Sequence, residues 1–199
     1  MSLWWRAWQL FEAGGPVMWP LLVLSLWLWG LVGAKLLWLW RAGRESLGPE
    51  QAAACLRGGR PPSGEGPLAA ALASFLARRG GGTRAQLLWW EAAVRQQVPL
   101  LWRHVSTVLL LAAVAPLLGL LGTVMGMIDT FQVIMYFGTG NAQALSAGIS
   151  QALITTQTGL MVAIPGLFAG YFLRRRVRAL EARLFRFQQA VGRWLREEA

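Results

Sequence analysis

Hydrophobic and polar positions divide the chain into three long apolar stretches separated by polar segments. The apolar stretches cover residues 17–40, 105–128 and 153–173, and the only charged side chain within them is Lys35. Each stretch is close to the roughly 20 residues that an α-helix needs to cross a hydrocarbon core of about 30 Å. The pattern therefore predicts an all-α integral membrane protein with three transmembrane helices.

Helical patterns continue beyond the second and third apolar stretches. After the third, apolar side chains recur at intervals of three and four residues, as on one buried helix face: Val177, Leu180, Leu184, Phe187 and Val191. Residues 83–98 favour a helix that runs directly into the second stretch, and Pro99 is expected to bend it near the membrane surface. Spans two and three are therefore predicted to extend as long helices beyond the bilayer.

Basic residues are concentrated in two of the four segments that flank the spans. Residues 41–104 hold nine arginines and four glutamates, and residues 174–199 hold eight arginines and three glutamates. Because basic loops stay in the cytoplasm, the N-terminus is predicted outside and the C-terminus inside, with the long helices extending into the cytoplasm. Topology signals and contacts with membrane lipids account for the net charge of +10, so no nucleic-acid partner is expected.

The N-terminal segment places Trp4, Trp8 and Phe11 on one helical face, which suits a helix lying in the membrane interface. The predicted organisation then has seven segments, in chain order: a periplasmic interfacial helix (1–16), transmembrane helix 1 (17–40), a cytoplasmic segment (41–98), transmembrane helix 2 (99–135), a short periplasmic loop (136–150), transmembrane helix 3 (151–173) and a cytoplasmic C-terminal helix (174–199).

Small residues form a stripe along span two and another along span three. Helices in lipid associate through close packing, which small side chains allow. Eight residues of these spans, including two prolines, are therefore predicted to be helix-packing positions: Gly119, Gly122, Gly126, Gly159, Ala163, Gly166, Pro116 and Pro165. The first span carries tryptophans instead of such a stripe and is predicted to face lipid.

Polar groups at membrane depth indicate either hydrogen bonds between helices or a water-filled path. Thr123 and Thr156 fall on the small-residue stripes and are interpreted as lining a water-accessible lumen, whereas Thr155 and Thr158 also suit bonds between helices. Asp129, the only acid within or beside a span, is placed at the outer interface. Either the chain moves no ions, or a partner supplies the titrating group in the middle of the membrane.

The sequence contains few residues that could form a catalytic or metal-binding site. Cys55 is the only cysteine and His104 the only histidine, so neither a metal cluster nor a Ser/His/Asp arrangement can be assembled. The chain is predicted not to be an enzyme and to bind no metal or cofactor.

Two apolar stretches combine glycines with threonines: APLLGLLGTVMGMIDTF at 115–131 and GISQALITTQTGLMVAIPGLFAGYF at 148–172. Together they resemble the paired signatures of the ExbB/TolQ/MotA proton-channel family, and its ExbB branch most closely. The resemblance implies a homopentameric ring around the single spans of two ExbD-like subunits, which supply the titrating aspartate, and a TonB-like protein that receives the work. It also implies that Thr123 and Thr156 face the proton pathway; Gln151 and Thr155 are assigned to the same pathway.

One position departs from the pattern of the family. Relatives commonly have glutamate where this chain has Gln151, and glutamine cannot titrate, so its part in proton transfer and that of Asp129 stay open. The resemblance implies an inner-membrane motor, driven by the proton motive force, that energises TonB-dependent uptake across an outer membrane. The alternatives are a TolQ-like subunit for envelope maintenance, a MotA-like motility role and a non-conducting membrane scaffold.

Overall fold

The computed structural model describes residues 3–44, 49–58, 66–78, 82–138 and 142–197. Within these ranges the chain forms α-helices joined by short turns, and no strand is present there. The helices are α1 (Leu3–Ala13), α2 (Met18–Arg44), α3 (Pro49–Gly58), α4 (Pro67–Leu76), α5 (Thr83–Trp102), α6 (Val105–Phe137) and α7 (Ala142–Glu197).

Three helical stretches of the described chain are long and apolar enough to cross a bilayer: Met18–Gly43, Thr83–Phe137 and Leu145–Arg196. The prediction of an all-α protein with three membrane-spanning helices is therefore confirmed. Helix α7 has 56 residues, more than twice the about 20 that a bilayer core requires.

The chain divides into two compact units. The first unit comprises Met1–Val32 and Ser106–Tyr171, and therefore holds α1, most of the apolar part of α2, nearly all of α6 and the first half of α7. Its core joins these helices through buried apolar side chains: Val17, Met18, Leu21, Leu24, Ala115 and Ala163. Because Leu21, Leu24 and Leu28 lie one turn apart, α2 buries one face and exposes its tryptophans Trp19, Trp27 and Trp29 on the other.

The second unit comprises Gly33–Val105 and Phe172–Ala199. Its centre is Trp90 of α5, whose ring is 5.6 Å from that of Phe75 of α4 and 5.9 Å from that of Phe187 of α7. The indole N–H of Trp90 donates to the carbonyl oxygen of Gln188 at 3.1 Å. A large aromatic side chain thus fastens three helices together, and its one polar atom is satisfied.

Two helix boundaries differ from those predicted. Within the loop predicted at 136–150, the described residues are helical up to Phe137 and again from Ala142, so α6 and α7 each extend into the predicted loop. Helix α3 was not predicted, because glycines flank it; it begins at Pro49, and proline is favoured in the first turn because its fixed φ suits the helix.

The long helix predicted to run from residue 83 into span two is interrupted. Helix α5 ends at Trp102, and Arg103 (φ −52°, ψ 133°) and His104 (φ +69°) separate it from α6. The interruption falls after Pro99 and not at it: Pro99 lies inside α5, and its carbonyl oxygen accepts a backbone bond from Arg103 at 3.0 Å. His104 is in the left-handed region, which costs a residue with a Cβ about 1–2 kcal/mol.

Replacing His104 by glycine is therefore expected to leave the protein at least as stable as it is. Glycine adopts this φ without a steric cost, which offsets its larger entropy in the unfolded chain. The neighbouring change Arg103→Gly relieves nothing at φ −52° and is expected to destabilise by about 0.5–1 kcal/mol. Thermal unfolding of both variants in one detergent compares them. A lower melting temperature for His104→Gly than for Arg103→Gly would contradict this reading of the break.

Candidate functional site

Helices α6 and α7 lie against each other along a contact face of small residues, here called the seam. A Cβ added at Gly119 would lie 3.1 Å from the Thr155 carbonyl oxygen, and one at Gly159 would lie 2.8 Å from that of Ala115. One at Gly126 would lie 2.6 Å from the Gly148 carbonyl oxygen. The two backbones are in direct contact at these points, so a Cβ at Gly159 or Gly126 would force them apart, and one at Gly119 would be tight.

The register of the seam is antiparallel. Gly119 pairs with Thr155 and Thr156, Gly122 meets the side chain of Thr155, and Gly126 meets Gly148. The two stripes predicted from the sequence therefore face each other within one chain. The small residues of the two stripes form the contact between α6 and α7.

The other predicted packing positions lie along the same helices. Ala163 is buried in the core of the first unit. A Cβ at Gly166 would lie 3.0 Å from Leu28 of α2 and 3.1 Å from Ala112 of α6, so the three helices meet there. Pro116 is half-buried within α6, and Pro165 is exposed within α7.

Thr155 belongs to the seam. Its side chain has no exposed surface, and it packs against Gly122. Its hydroxyl donates to the carbonyl oxygens of Gln151 and Ala152 in its own helix, both at 3.0 Å. Within this chain Thr155 is therefore a packing contact of the seam, and its assignment to the proton pathway stays a prediction.

Thr156 and Thr123 keep part of their surface exposed. The hydroxyl of Thr156 is 3.3 Å from the Gly119 carbonyl oxygen across the seam and 3.2 Å from that of Ala152 in its own helix. The hydroxyl of Thr123 donates to the Leu120 carbonyl oxygen at 2.7 Å. Each hydroxyl commits its single proton to the backbone, so its lone pairs remain as acceptors for water.

Gln151 and Asp129, which the sequence left open, are brought together from α7 and α6. The Gln151 amide nitrogen donates to a carboxylate oxygen of Asp129 at 3.3 Å, in an exposed position. The same side chain lies against Gly15, whose φ of +68° favours glycine, and a Cβ there would be 2.7 Å from the amide nitrogen. Gln151 thus links the turn after α1 to Asp129 and can orient the carboxylate without titrating.

Two seam residues were missed by the sequence reasoning. Thr130 is buried, its hydroxyl donates to the Gly126 carbonyl oxygen at 2.8 Å, and it packs against Gly148. Gly148 lies eight residues, about two helical turns, before Thr156, so extending the stripe of span three toward its N-terminal end would have included it.

Lys35 is the charged side chain that the first apolar stretch carries, and it is buried in the second unit. Its ammonium donates to the Leu100 carbonyl oxygen at 3.3 Å and lies 4.3 Å from the centre of the Trp38 ring. The carbonyl belongs to the end of α5, so Lys35 joins α2 to α5. A carbonyl and a ring face compensate part of the cost of burying the charge.

The fold and the seam define a class: a polytopic helical membrane protein whose last two spans form a glycine-packed hairpin. The sequence model of the MotA/TolQ/ExbB proton channel family matches residues 69–185, more than half of the chain. The chain belongs to this family, as its two signature stretches predicted.

Individual relatives carry ExbB and TolQ names. The chain is 37% identical to the biopolymer transport protein ExbB-like 3 of Synechocystis sp. over 109 residues, which cover 53% of this chain and 52% of the relative. It is 45% identical to ExbB of Aquifex aeolicus over 67 residues (34% and 45%) and 35% identical to the Tol-Pal system protein TolQ of Haemophilus influenzae over 89 residues (45% and 39%). The chain therefore spans about half or less of the length of these relatives.

Proposed function

We propose that this protein is an ExbB-like subunit of an inner-membrane motor that is driven by the proton motive force and energises a TonB-like protein. The observation that carries the proposal is a pair of half-exposed threonine hydroxyls within the part of the chain that the family model matches: Thr156 at the glycine seam, and Thr123 next to Gly122 of the seam. Hydroxyls with unused lone pairs solvate a proton path without trapping the proton on a charge.

The titrating group comes from a partner in this proposal. Asp129 is the carboxylate of the described α6–α7 hairpin within its apolar part, and it lies six residues along α6 from Thr123, about 9 Å of helix rise. An ExbD-like single-span subunit supplies the titrating group, an aspartate at the depth of the two threonines. Five copies of this chain surround two such spans.

The topology follows from the charges. The interfacial helix at 1–16 and the turn after α6 lie in the periplasm, and the arginine-rich segments 41–98 and 174–199 lie in the cytoplasm. The helices that pack around Trp90, which contribute Phe75 and Phe187, belong to these two segments and are cytoplasmic in this proposal.

Valine substitutions test the pathway, because valine keeps the shape of threonine and removes the hydroxyl. Thr123→Val and Thr156→Val are each expected to lower proton flux about tenfold in liposomes that hold the complex with its partner, the effect of one lost hydrogen bond of about 1.4 kcal/mol. The control is Thr158→Val: this half-buried hydroxyl donates to Ile154 within its own helix at 2.8 Å. Equal flux in all three variants and the unmodified complex would refute the assignment.

A TolQ-like role is the second candidate, and the match to the Tol-Pal system protein of H. influenzae favours it. Deleting the gene separates the two: loss of energised uptake indicates the ExbB role, and defects in envelope constriction indicate the TolQ role. Native mass of the complex addresses the scaffold alternative. Five copies with two partner chains support the motor, whereas a monomer or dimer that ignores the partner supports a scaffold.

A further inference from the structure

A groove of about 430 Å³ runs between α2 and α7 in the second unit. Five apolar side chains and one arginine line it: Leu36, Leu37, Leu39, Trp40, Phe172 and Arg176. Leu39 is buried, whereas Leu37 and Trp40 are 61% and 67% exposed. The volume lies within the about 300–1,000 Å³ of small-ligand sites, and the walls are almost wholly apolar with one cationic group.

The groove lies where both of its helices change from apolar to basic sequence. Arg41 follows Trp40 directly in α2, and three arginines follow Leu173 in α7. Such a change marks the edge of the hydrocarbon core, where tryptophan is enriched. Leu36 and Leu37 therefore lie at the depth of acyl chains, and Arg176 lies at the depth of lipid headgroups.

Arg176 is available to a ligand at this edge. Its guanidinium lies 5.2 Å from the centre of the Phe172 ring, and no carboxylate among the described residues pairs with it. A guanidinium that rests on an aromatic face keeps its N–H donors, which lie in its plane, directed outward. These donors match the oxygens of a phosphate group in a bidentate geometry.

We propose that this groove binds an anionic glycerophospholipid, with its phosphate on Arg176 and an acyl chain along Leu36, Leu37 and Phe172. This one class of molecule has both an acyl chain to cover the apolar walls and a phosphate to pair with the guanidinium. Basic pockets between membrane helices on the cytoplasmic side are a known setting for anionic lipids.

Charge complementarity distinguishes the lipid from other occupants. A second copy of the chain would bring a surface of the same sign, since 41–104 and 174–199 each carry five more basic than acidic residues (nine minus four and eight minus three). Free phosphate would neutralise Arg176 and leave the apolar walls uncovered. Neither alternative uses both parts of the groove.

The test is lipid retention by the full-length chain, purified in neutral detergent and measured by native mass spectrometry. The protein is offered dioleoylphosphatidylglycerol or dioleoylphosphatidylcholine at equal concentration. Arg176→Gln is expected to lower retention of the anionic lipid about fivefold, since one arginine near such a surface contributes about 1 kcal/mol. The matched control is Arg183→Gln, an exposed arginine of α7 that does not line the groove, and it is expected to retain the lipid.

A second variant tests the apolar wall without changing the charge. Leu37→Trp is expected to fill the groove and to lower retention of phosphatidylglycerol in the same way, while inorganic phosphate in large excess is expected not to displace the lipid. Equal retention by Arg176→Gln and Arg183→Gln overturns the proposal, as does equal binding of the two lipids or displacement by phosphate. If Leu37→Trp keeps the lipid and changes the number of copies in the complex instead, a neighbouring copy occupies the groove.

Discussion

Replacing Trp90 by alanine is expected to destabilise the second unit by about 3–5 kcal/mol, the usual cost of removing a large aromatic side chain from a core. The ring is 1% exposed and touches Phe75 of α4 and Phe187 of α7. Its loss leaves a cavity where three helices meet and removes the hydrogen bond from the indole to the Gln188 carbonyl oxygen. Such a loss is a large fraction of the about 5–15 kcal/mol by which folded proteins are typically stable.

The neighbouring tryptophan provides the control for this prediction. Trp89 is 44% exposed, and its recorded ring contact is with the guanidinium of Arg78 at 5.7 Å, so Trp89→Ala is expected to cost less than about 1 kcal/mol. Trp90→Phe keeps a ring in the core and loses the bond to Gln188, so its loss of stability is expected to lie between those of Trp89→Ala and Trp90→Ala. Unfolding followed by circular dichroism in one detergent ranks the three variants. Equal losses for Trp89→Ala and Trp90→Ala would show that α4, α5 and α7 are not held together at Trp90.

The three spans could be predicted because the signals that identify them lie within single continuous segments of the sequence. Membrane length, charge bias and small-residue spacing are all properties of contiguous segments, and apart from Val17 each of the three apolar stretches lies within one of the helical stretches found. The break at His104 has a different origin. A proline is the usual cause of a kink, yet Pro99 is accommodated near the end of α5, and the chain turns through a positive φ at a histidine.

The sequence does not show which residues of different helices contact each other. A small-residue stripe indicates close contact but not with which helix, so the seam within one chain and a tunnel between copies were equally compatible with it. Thr155 and Thr156 are adjacent in sequence, but the register of α7 on α6 gives them different contacts. Thr155 packs against Gly122, whereas the hydroxyl of Thr156 lies 3.3 Å from the Gly119 carbonyl oxygen. The contact between Gln151 and Asp129 likewise depends on that register.

The seam predicts that the same substitution, glycine to alanine, has opposite effects on stability at two positions. Gly126→Ala is expected to destabilise the first unit by about 2–3 kcal/mol, the upper part of the range for overpacking. The new methyl group would lie 2.6 Å from the Gly148 carbonyl oxygen and 3.0 Å from the Ala152 nitrogen. Both are backbone atoms of α7, so no side chain can rotate away and the two helices must separate.

The same substitution at Gly30 in α2 is the matched control. Nothing lies within 4 Å of a Cβ there, so Gly30→Ala is expected to stabilise by about 0.5–1 kcal/mol through the better helix propensity of alanine. Proton flux extends the comparison to function, because separating the helices lengthens the 3.3 Å contact between Thr156 and Gly119. Gly126→Ala is therefore expected to lose both melting temperature and flux, while Gly30→Ala keeps both. If Gly126→Ala melts at the same temperature as Gly30→Ala, the backbone contact at Gly148 is absent in the assembled protein, and Thr156 is not held by a close seam.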